Sequence, residues 1–364
     1  MQRKSTRRKG GGRTIDDVAR HAGVSPMTVS RVINGERNVR EATRLRVTEA
    51  IRELGYAPNQ AARSLASAQT LKIGLLYSNP SAAYLSEFLL GGLDQCSRAG
   101  AQLVVEKCEP EVGETVAIER MLAAGVDGVL LPPPLCDSAF VVDRLEAAGL
   151  PAVAVASGQP MPSVSAIRID DQAAAEAMTR HLIGLGHRRI AFVRGHPNQT
   201  ASALRFKGYA RALKAHGLEI DDRLVAQGYF TYHSGLDAAD QLLTLRHRPT
   251  AIFASNDDMA AAAIAVAHRQ GLDVPRDLTI VGFDDTALAS TVWPPLTTIR
   301  QPVAEMSREA VSVLVEAIRG KQEGQPSTPA RELMDFALIR RQSDGHPPAG
   351  MDEPPPAKPR PSTR

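Results

Sequence analysis

A chain of 364 residues, 43% of them apolar, is long enough for two or three compact units of ordinary globular composition. It contains no apolar run of the roughly 18 residues that a membrane-spanning helix requires, and 4% aromatic residues are too few for a protein that stacks single-stranded bases. The formal net charge of +3 hides an asymmetry: residues 1–70 hold 14 Lys and Arg against 6 Asp and Glu, a net of +8, and the rest holds 29 against 34, a net of −5. A basic end on a mildly acidic body is the electrostatic footprint of phosphate binding.

Residues 1–13, MQRKSTRRKGGGR, read as a disordered basic arm, either a source of non-specific DNA affinity or a solvated tail. TIDDVARH follows where a signal peptide would have its apolar region, so the expected location is cytoplasmic. Ile15, Val18, Ala19 and Ala22 fall on one helical face, with Thr14 as N-cap and Asp16 and Asp17 in the first turn. Gly23 ends that helix, since glycine accepts the left-handed conformation of a tight turn. Ser25 caps a second helix, and Pro26 suits its first position. Val29, Val32 and Ile33 continue the apolar face, leaving Met27, Thr28, Ser30, Arg31 and Asn34 to point outward. A third helix is expected near Arg40 to Leu54, with Leu45, Val47, Ile51 and Leu54 inside. Helix, glycine turn and helix with a polar outer face make a helix-turn-helix, whose second helix reads the major groove. Taken alone, the pattern also fits a generic three-helix packing module; the basic charge favours DNA.

DVARHAGVSPMTVSRVING, with the later GYAPNQAARSLA, resembles the headpiece and hinge of the lactose-repressor (LacI/GalR) family of bacterial transcription regulators. The resemblance implies that Pro26 and Met27 touch base edges. It implies that Thr28, Ser30, Arg31 and Asn34 add base or phosphate contacts, with Thr14 and Ser25 in the same DNA-facing set. It also makes residues 59–71 a hinge helix and linker, beginning at Asn59, with Leu65 as a wedge. NQAARSLA is too short for a stable helix alone and would fold when two copies pair over DNA. Ala61 and Ala62 are small enough for close approach there, Arg63 suits phosphate or groove contacts, and Leu65 suits a kinked minor-groove step. A core leucine is the plainer alternative for Leu65.

Along the body, LKIGLLY, AQLVVE, VDGVLL and PAVAVA read as buried strands separated by helices near 82–99, 113–124 and 138–148. The alternation restarts with a helix over 171–185, RIAFVRG as a strand and a helix over 201–216. Next come a short strand near 224–227, a helix over 234–245, the strand TAIFASND and a helix over 259–270. LTIVGFDD, LTTIRQP leading into a helix over 303–318, and ELMDFALI as a last strand complete it. The fold class is therefore α/β: a helix-turn-helix over 14–58 and hinge, then two Rossmann-like lobes over 72–341. The resemblance implies the periplasmic-binding-protein-like form of that fold. Its chain crossings are expected near Arg168, Ile299 and Pro329, giving lobe 1 as 72–168 and 300–329 and lobe 2 as 169–299 and 330–341. The proline-rich stretch 342–364 reads as a disordered tail.

Ligands of open α/β sheets bind beyond the carboxyl ends of strands. Asn256 and Asp257, Asp284 and Asp285, and Arg205 lie there, and suit hydrogen bonds to a polyol. Each fits helix capping equally well when taken singly. By resemblance, Arg205 grips the effector, Gly208 lets its helix pack, Asn256 reaches the ligand and Asp284 binds its hydroxyls. Phe230 matches a stacking aromatic, although a core phenylalanine fits too; Tyr84 and Phe88 are the candidates from lobe 1. Gly186 and His187 read as helix termination. No nucleophile elbow, P-loop, zinc-spaced histidines or Cys–His arrangement is present, and YSNPSAAY lacks the dinucleotide-binding glycines, so no cofactor and no enzyme is expected. Cys96, Cys108 and Cys136 have no metal spacing and are expected as reduced, partly buried thiols. The expectation is a homodimeric regulator on a palindromic DNA operator, a repressor of carbohydrate use released by a small sugar. The alternatives are a periplasmic-type solute-binding protein, a purine-responsive corepressor-dependent regulator and a constitutive DNA binder.

Overall fold

The computed structural model describes residues 14–33, 39–54, 70–108, 113–325 and 328–348. The chain divides between Thr70 and Leu71 into two compact units.

The first unit contains α1 (Ile15–Ala22), α2 (Pro26–Ile33) and α3 (Glu41–Leu54). Thr14 and Asp17 form a capping box: the Thr14 hydroxyl accepts the Asp17 N–H, and the Asp17 carboxylate accepts the Thr14 N–H at 3.0 Å. Gly23, at φ 64°, closes α1 in the left-handed region. The Ser25 hydroxyl then accepts the Thr28 N–H at 3.2 Å and starts α2. Val18, Ala19, Ala22, Val29, Val32, Val47 and Ala50 are buried together. All are small, so this core depends on close helix approach more than on bulk. Leu45, expected inside, is 63% exposed. The inward face of α3 is Val47, Ala50, Ile51 and Leu54, spaced i, i+3, i+4, i+7. Leu45 stands two residues before Val47, about 200° around the helix, and therefore faces outward. The basic arm, Asn34, and the expected hinge with Asn59, Ala61, Ala62, Arg63 and Leu65 lie outside the described residues, as does the Ile33 side chain.

The second unit holds two six-stranded sheets. The first joins β1 (Lys72–Tyr77), β2 (Gln102–Lys107), β3 (Gly128–Leu131), β4 (Ala152–Val155), β5 (Ser165–Arg168) and β11 (Arg331–Leu333) in the order β11-β5-β4-β3-β1-β2, all parallel. The second joins β6 (Ile190–Arg194), β7 (Val225–Gln227), β8 (Ala251–Ala254), β9 (Thr279–Asp284), β10 (Thr297–Arg300) and β12 (Ala337–Ile339) in the order β12-β10-β9-β8-β6-β7, parallel except at β12. Their connecting helices are α4 (Ala82–Ala99), α5 (Gly113–Ala123), α6 (Ala139–Ala147), α7 (Asp171–Gly184), α8 (Thr200–Ala215), α9 (Tyr232–Leu243), α10 (Asp257–Arg269), α11 (Ala287–Thr291) and α12 (Val303–Gln322). Central strands such as β3, β8 and β9 are buried along their whole length, as parallel sheets covered on both faces require. A Cβ on Gly208 would stand 2.2 Å from the Gln172 carbonyl oxygen, so only glycine lets α8 pack on α7 this closely.

Three expectations change. SAIR forms β5, a strand the sequence reading passed over because four residues of mixed character carry little periodicity. ELMDFALI is two strands, β11 in the first sheet and β12 in the second. The third crossing therefore falls over residues 334–336 rather than at Pro329, and residues 330–333 belong to lobe 1. The tail also starts later than 342. Ser343 and Asp344 are buried. The Ser343 hydroxyl donates to the Ile280 carbonyl at 2.6 Å and accepts the Thr297 N–H at 2.8 Å. Asp344 accepts from the Thr297 hydroxyl and lies 2.7 Å from His181 Nε2. His187, fully buried after Gly186, bridges the Gly345 carbonyl and the Thr250 hydroxyl at 2.9 Å each. Residues 349–364 lie outside the described residues.

Candidate functional site

In the first unit the candidate DNA-facing side chains lie along α2. Pro26, Met27 and Arg31 are exposed, Met27 at 64%, while Thr28 and Ser30 are half-buried beside the Val29–Val32 core face. Thr14 and Ser25 are exposed too, but both hydroxyls already accept cap hydrogen bonds. The Thr14 cap thus starts α1 and the Ser25 cap starts α2, each within the first unit itself.

In the second unit a cleft of about 370 Å3, its open mouth included, lies between the carboxyl ends of the two sheets. Lobe 1 contributes Asn79, Ser81, Tyr84, Pro133 and Ala156; lobe 2 contributes Gln199, Ala201, Arg205, Phe230, Asn256 and Asp284; Gln301 stands at a crossing. Arg205 is the central cation. Its Nε donates to Asp171 at 2.8 Å, its Nη1 donates to the Ser255 carbonyl at 2.7 Å, and Nη1 stands 3.6 Å from Asp284. The guanidinium lies 3.7 Å over the Phe283 ring centre. Gln301 Nε2 donates to Asp284 Oδ1 at 2.6 Å. Phe230 and Asp284 adopt φ values of 62° and 116°. Such conformations are costly for residues with side chains and gather at functional sites. A Cβ on Gly195 would fall 1.9 Å from the Phe230 ring, so the glycine makes room for that ring.

Burial dominates the electrostatics. It pushes the Asp284 carboxyl up to about 7, against the pull of Arg205 and Gln301. It raises Asp171 and Asp258 as well, with Arg205 and the Ser81 hydroxyl respectively opposing it. Burial and then the Asp284 charge push the Tyr84 hydroxyl well above its ordinary range. Two buried polar atoms of the lining, Tyr84 Oη and Gln301 Oε1, have no hydrogen-bond partner among the described residues. Buried polar groups are normally paired with protein, water or ligand, so both atoms are open to hydrogen bonds from whatever occupies the cleft.

The lobes touch at two rims of the cleft. The Ser81 hydroxyl donates to Asp258 Oδ2 at 2.6 Å. Farther along, Thr200 gives its N–H and its hydroxyl proton to Asp137, each at 2.8 Å. The same Thr200 oxygen accepts the N–H groups of Gly158 at 2.8 Å and Gln159 at 3.1 Å, and Ser157 donates to Asp137 at 2.6 Å.

Of the expected effector residues, Arg205, Asn256, Asp284, Phe230 and Tyr84 converge on the cleft. Asn256 also caps α10, its oxygen accepting the Met259 N–H at 3.0 Å, so the capping reading holds beside the lining one. Phe88 does not reach the cleft: one helical turn beyond Tyr84 on α4, it is wholly buried in the core. Asp257 is a girder, accepting from the Thr286 N–H at 2.8 Å and the Thr298 hydroxyl at 2.6 Å. Asp285 turns away to Arg300 at 2.7 Å and Arg341 at 2.6 Å. The sequence reading missed Asn79, Ser81, Pro133, Ala156, Gln199, Ala201 and Gln301. Most follow the ends of β1, β3, β4, β6 and β10, so the strand-end rule applied to both lobes would have found them.

Comparison with known proteins agrees with both units. The family of bacterial regulatory proteins of the lacI type matches residues 14–59, and a periplasmic binding protein-like domain matches residues 179–343. The ribose operon repressor of Escherichia coli (strain K12) is 38% identical over 311 residues, covering 84% of this chain and 93% of the relative. The chain belongs to the lacI family. Like its relatives it is a DNA-binding regulator of transcription. A solved complex of the transcriptional regulator CelR with cellobiose is 35% identical, with a TM-score of 0.70, covering 91% of this chain and 99% of that one. The lac repressor dimer bound to operator and an anti-inducer is 31% identical, with a TM-score of 0.67, covering 92% and 100%. Among the described residues no helix is long and apolar enough to cross a membrane, and no His, Cys, Asp and Glu cluster could hold a metal. The three cysteines are free and buried.

Proposed function

We propose that this regulator is a cytoplasmic homodimer that represses a carbohydrate-use operon and leaves a palindromic operator when a small neutral sugar enters the cleft. The observation that carries the sugar reading is the pair of unsatisfied buried atoms, Tyr84 Oη and Gln301 Oε1, beside Asp284 and Arg205. Gln301 Oε1 can only accept, and the Asp284 carboxylate accepts when ionised, so a ligand rich in hydroxyl donors meets their need. Phe230 offers an apolar face of the kind sugar rings pack on. The ribose operon repressor and the regulator solved with cellobiose support the same reading, and the operator-bound lac repressor dimer supports two headpieces on two-fold DNA. Because the lining comes from both lobes, a ligand binds the arrangement in which their rims touch differently from one in which the lobes have moved apart. That inequality is what a switch requires, and about 1–3 kcal/mol of coupling is typical.

The test is to recover the genomic fragments the full chain retains and to titrate one with protein, with and without a panel of sugars and purines. Retention by a sugar-free protein and release by at least one sugar is the expected result; release or tightening only by purines overturns the sugar reading. Arg31→Ala is expected to weaken binding to the same fragment by more than about 1 kcal/mol at fixed salt. Unchanged affinity would remove α2 from the DNA interface.

A further inference from the structure

We propose that the clasp between Asp137, Thr200 and the Ser157–Gly158–Gln159 backbone sets effector length, restricting the cleft to a single sugar ring. This rests on the sugar reading above. Ala156 and Ala201 line the cleft, and each is an immediate chain neighbour of a clasp residue, Ser157 and Thr200. The clasp therefore ends the cleft on that side. It holds the lobes in backbone contact: a Cβ on Gly158 would stand 2.9 Å from both the Thr200 carbonyl carbon and the Ala201 nitrogen. Five hydrogen bonds of 2.6–3.1 Å converge on one carboxylate and one hydroxyl there. On the other rim Ser81, itself a lining residue, is closed onto Asp258. A second ring running sideways along the cleft would have to pass one of these two contacts, which leaves it only the open mouth. The space between the two rims, about 370 Å3 even with its open mouth counted, is small. One ring can still reach Asp284 and Gln301 while lying on Phe230.

Binding of D-ribose, D-xylose, D-glucose, D-galactose, cellobiose and maltose to the full chain tests this by calorimetric titration. In the wild type one monosaccharide is expected to bind at least about tenfold tighter than either disaccharide. Thr200→Val keeps the side-chain shape and deletes the shared hydroxyl; Gly158→Ala wedges the rim apart. Each should narrow the monosaccharide preference to about threefold or less, and melting curves identify any variant that fails to fold. A disaccharide that binds the wild type as well as the best monosaccharide overturns the proposal, and so does a preference that both folded variants retain. Silence across the whole panel is a different result: it overturns the sugar reading, and this inference falls with it.

Discussion

Along α2 the candidate DNA-facing side chains Pro26, Met27 and Arg31 are exposed and Thr28 and Ser30 half-buried, on a helix that the Ser25 cap starts over a core of valines and alanines. Between the two sheets the cleft's side chains are buried, charged and dependent on one another: Arg205 holds Asp171 and Asp284, Gln301 holds Asp284, and Asn256 holds the Phe230 carbonyl. An exposed reading face leaves stability nearly untouched, because water solvates what its partner does not. A buried sensing site ties binding to stability, because every unpaired charge there is a cost to the fold. The two regions should therefore respond differently to comparable substitutions.

The sharpest contrast is expected at Arg205. Arg205→Ala strands Asp171 and Asp284 in the interior and should cost about 3–5 kcal/mol in urea unfolding of the second unit. A loss under about 1 kcal/mol would mean that both carboxyls are neutral in the fold, and the contrast would shrink accordingly. Next is the pH response. With its carboxyl raised to about 7, Asp284 keeps its proton in the folded state where the unfolded chain, at the ordinary value of 3.8, has lost it. The folded state thus binds more protons between those values, and the stability Asp284 contributes falls as pH rises through that window. The proposed sugar binding runs the other way, since the ionised carboxylate is the better acceptor. Affinity should climb by up to about tenfold per pH unit toward 7 and level off above it. Asp284→Asn should flatten both profiles; titration and melting from about pH 5.5 to about pH 8 check them. In the first unit, Thr14→Ala should cost about 1 kcal/mol by removing the capping box, read from the first unit's own melting transition. Smallest of all, Leu45→Gln should change stability by less than about 0.5 kcal/mol, since its side chain is already in solvent. A larger loss there would show that the exposed face is more constrained than the caps and core suggest.

The same difference explains what the sequence made legible. Helix starts at Thr14 and Ser25, the stop at Gly23, and the alternation of strands and helices are local signals, and the structure follows them. Arg205, Asn256 and Asp284 were accessible because each lies at or beyond the end of a strand with a clear apolar run, whereas Phe230, after the three-residue β7, came from the family resemblance alone. The Ser81–Asp258 and Asp137–Thr200 contacts join residues 177 and 63 positions apart, and no local pattern encodes a pairing between lobes. Phe88 went astray because position on a helix near the cleft does not say which face turns inward. Leu45 was assigned by residue type against its own periodicity. The two short strands inside ELMDFALI were merged because nothing in eight residues marks where the chain leaves one sheet for the other.

The seating of Ser343 under β9 and β10 fixes where this protein can be cut or extended. Ending the chain at 341 would remove the hydroxyl that joins the Ile280 carbonyl to the Thr297 N–H, together with the carboxylate opposite His181. Such a truncation would leave lobe 2 with an unfinished sheet floor and a loosened α7. A reporter or affinity handle attached beyond residue 348 keeps that floor intact.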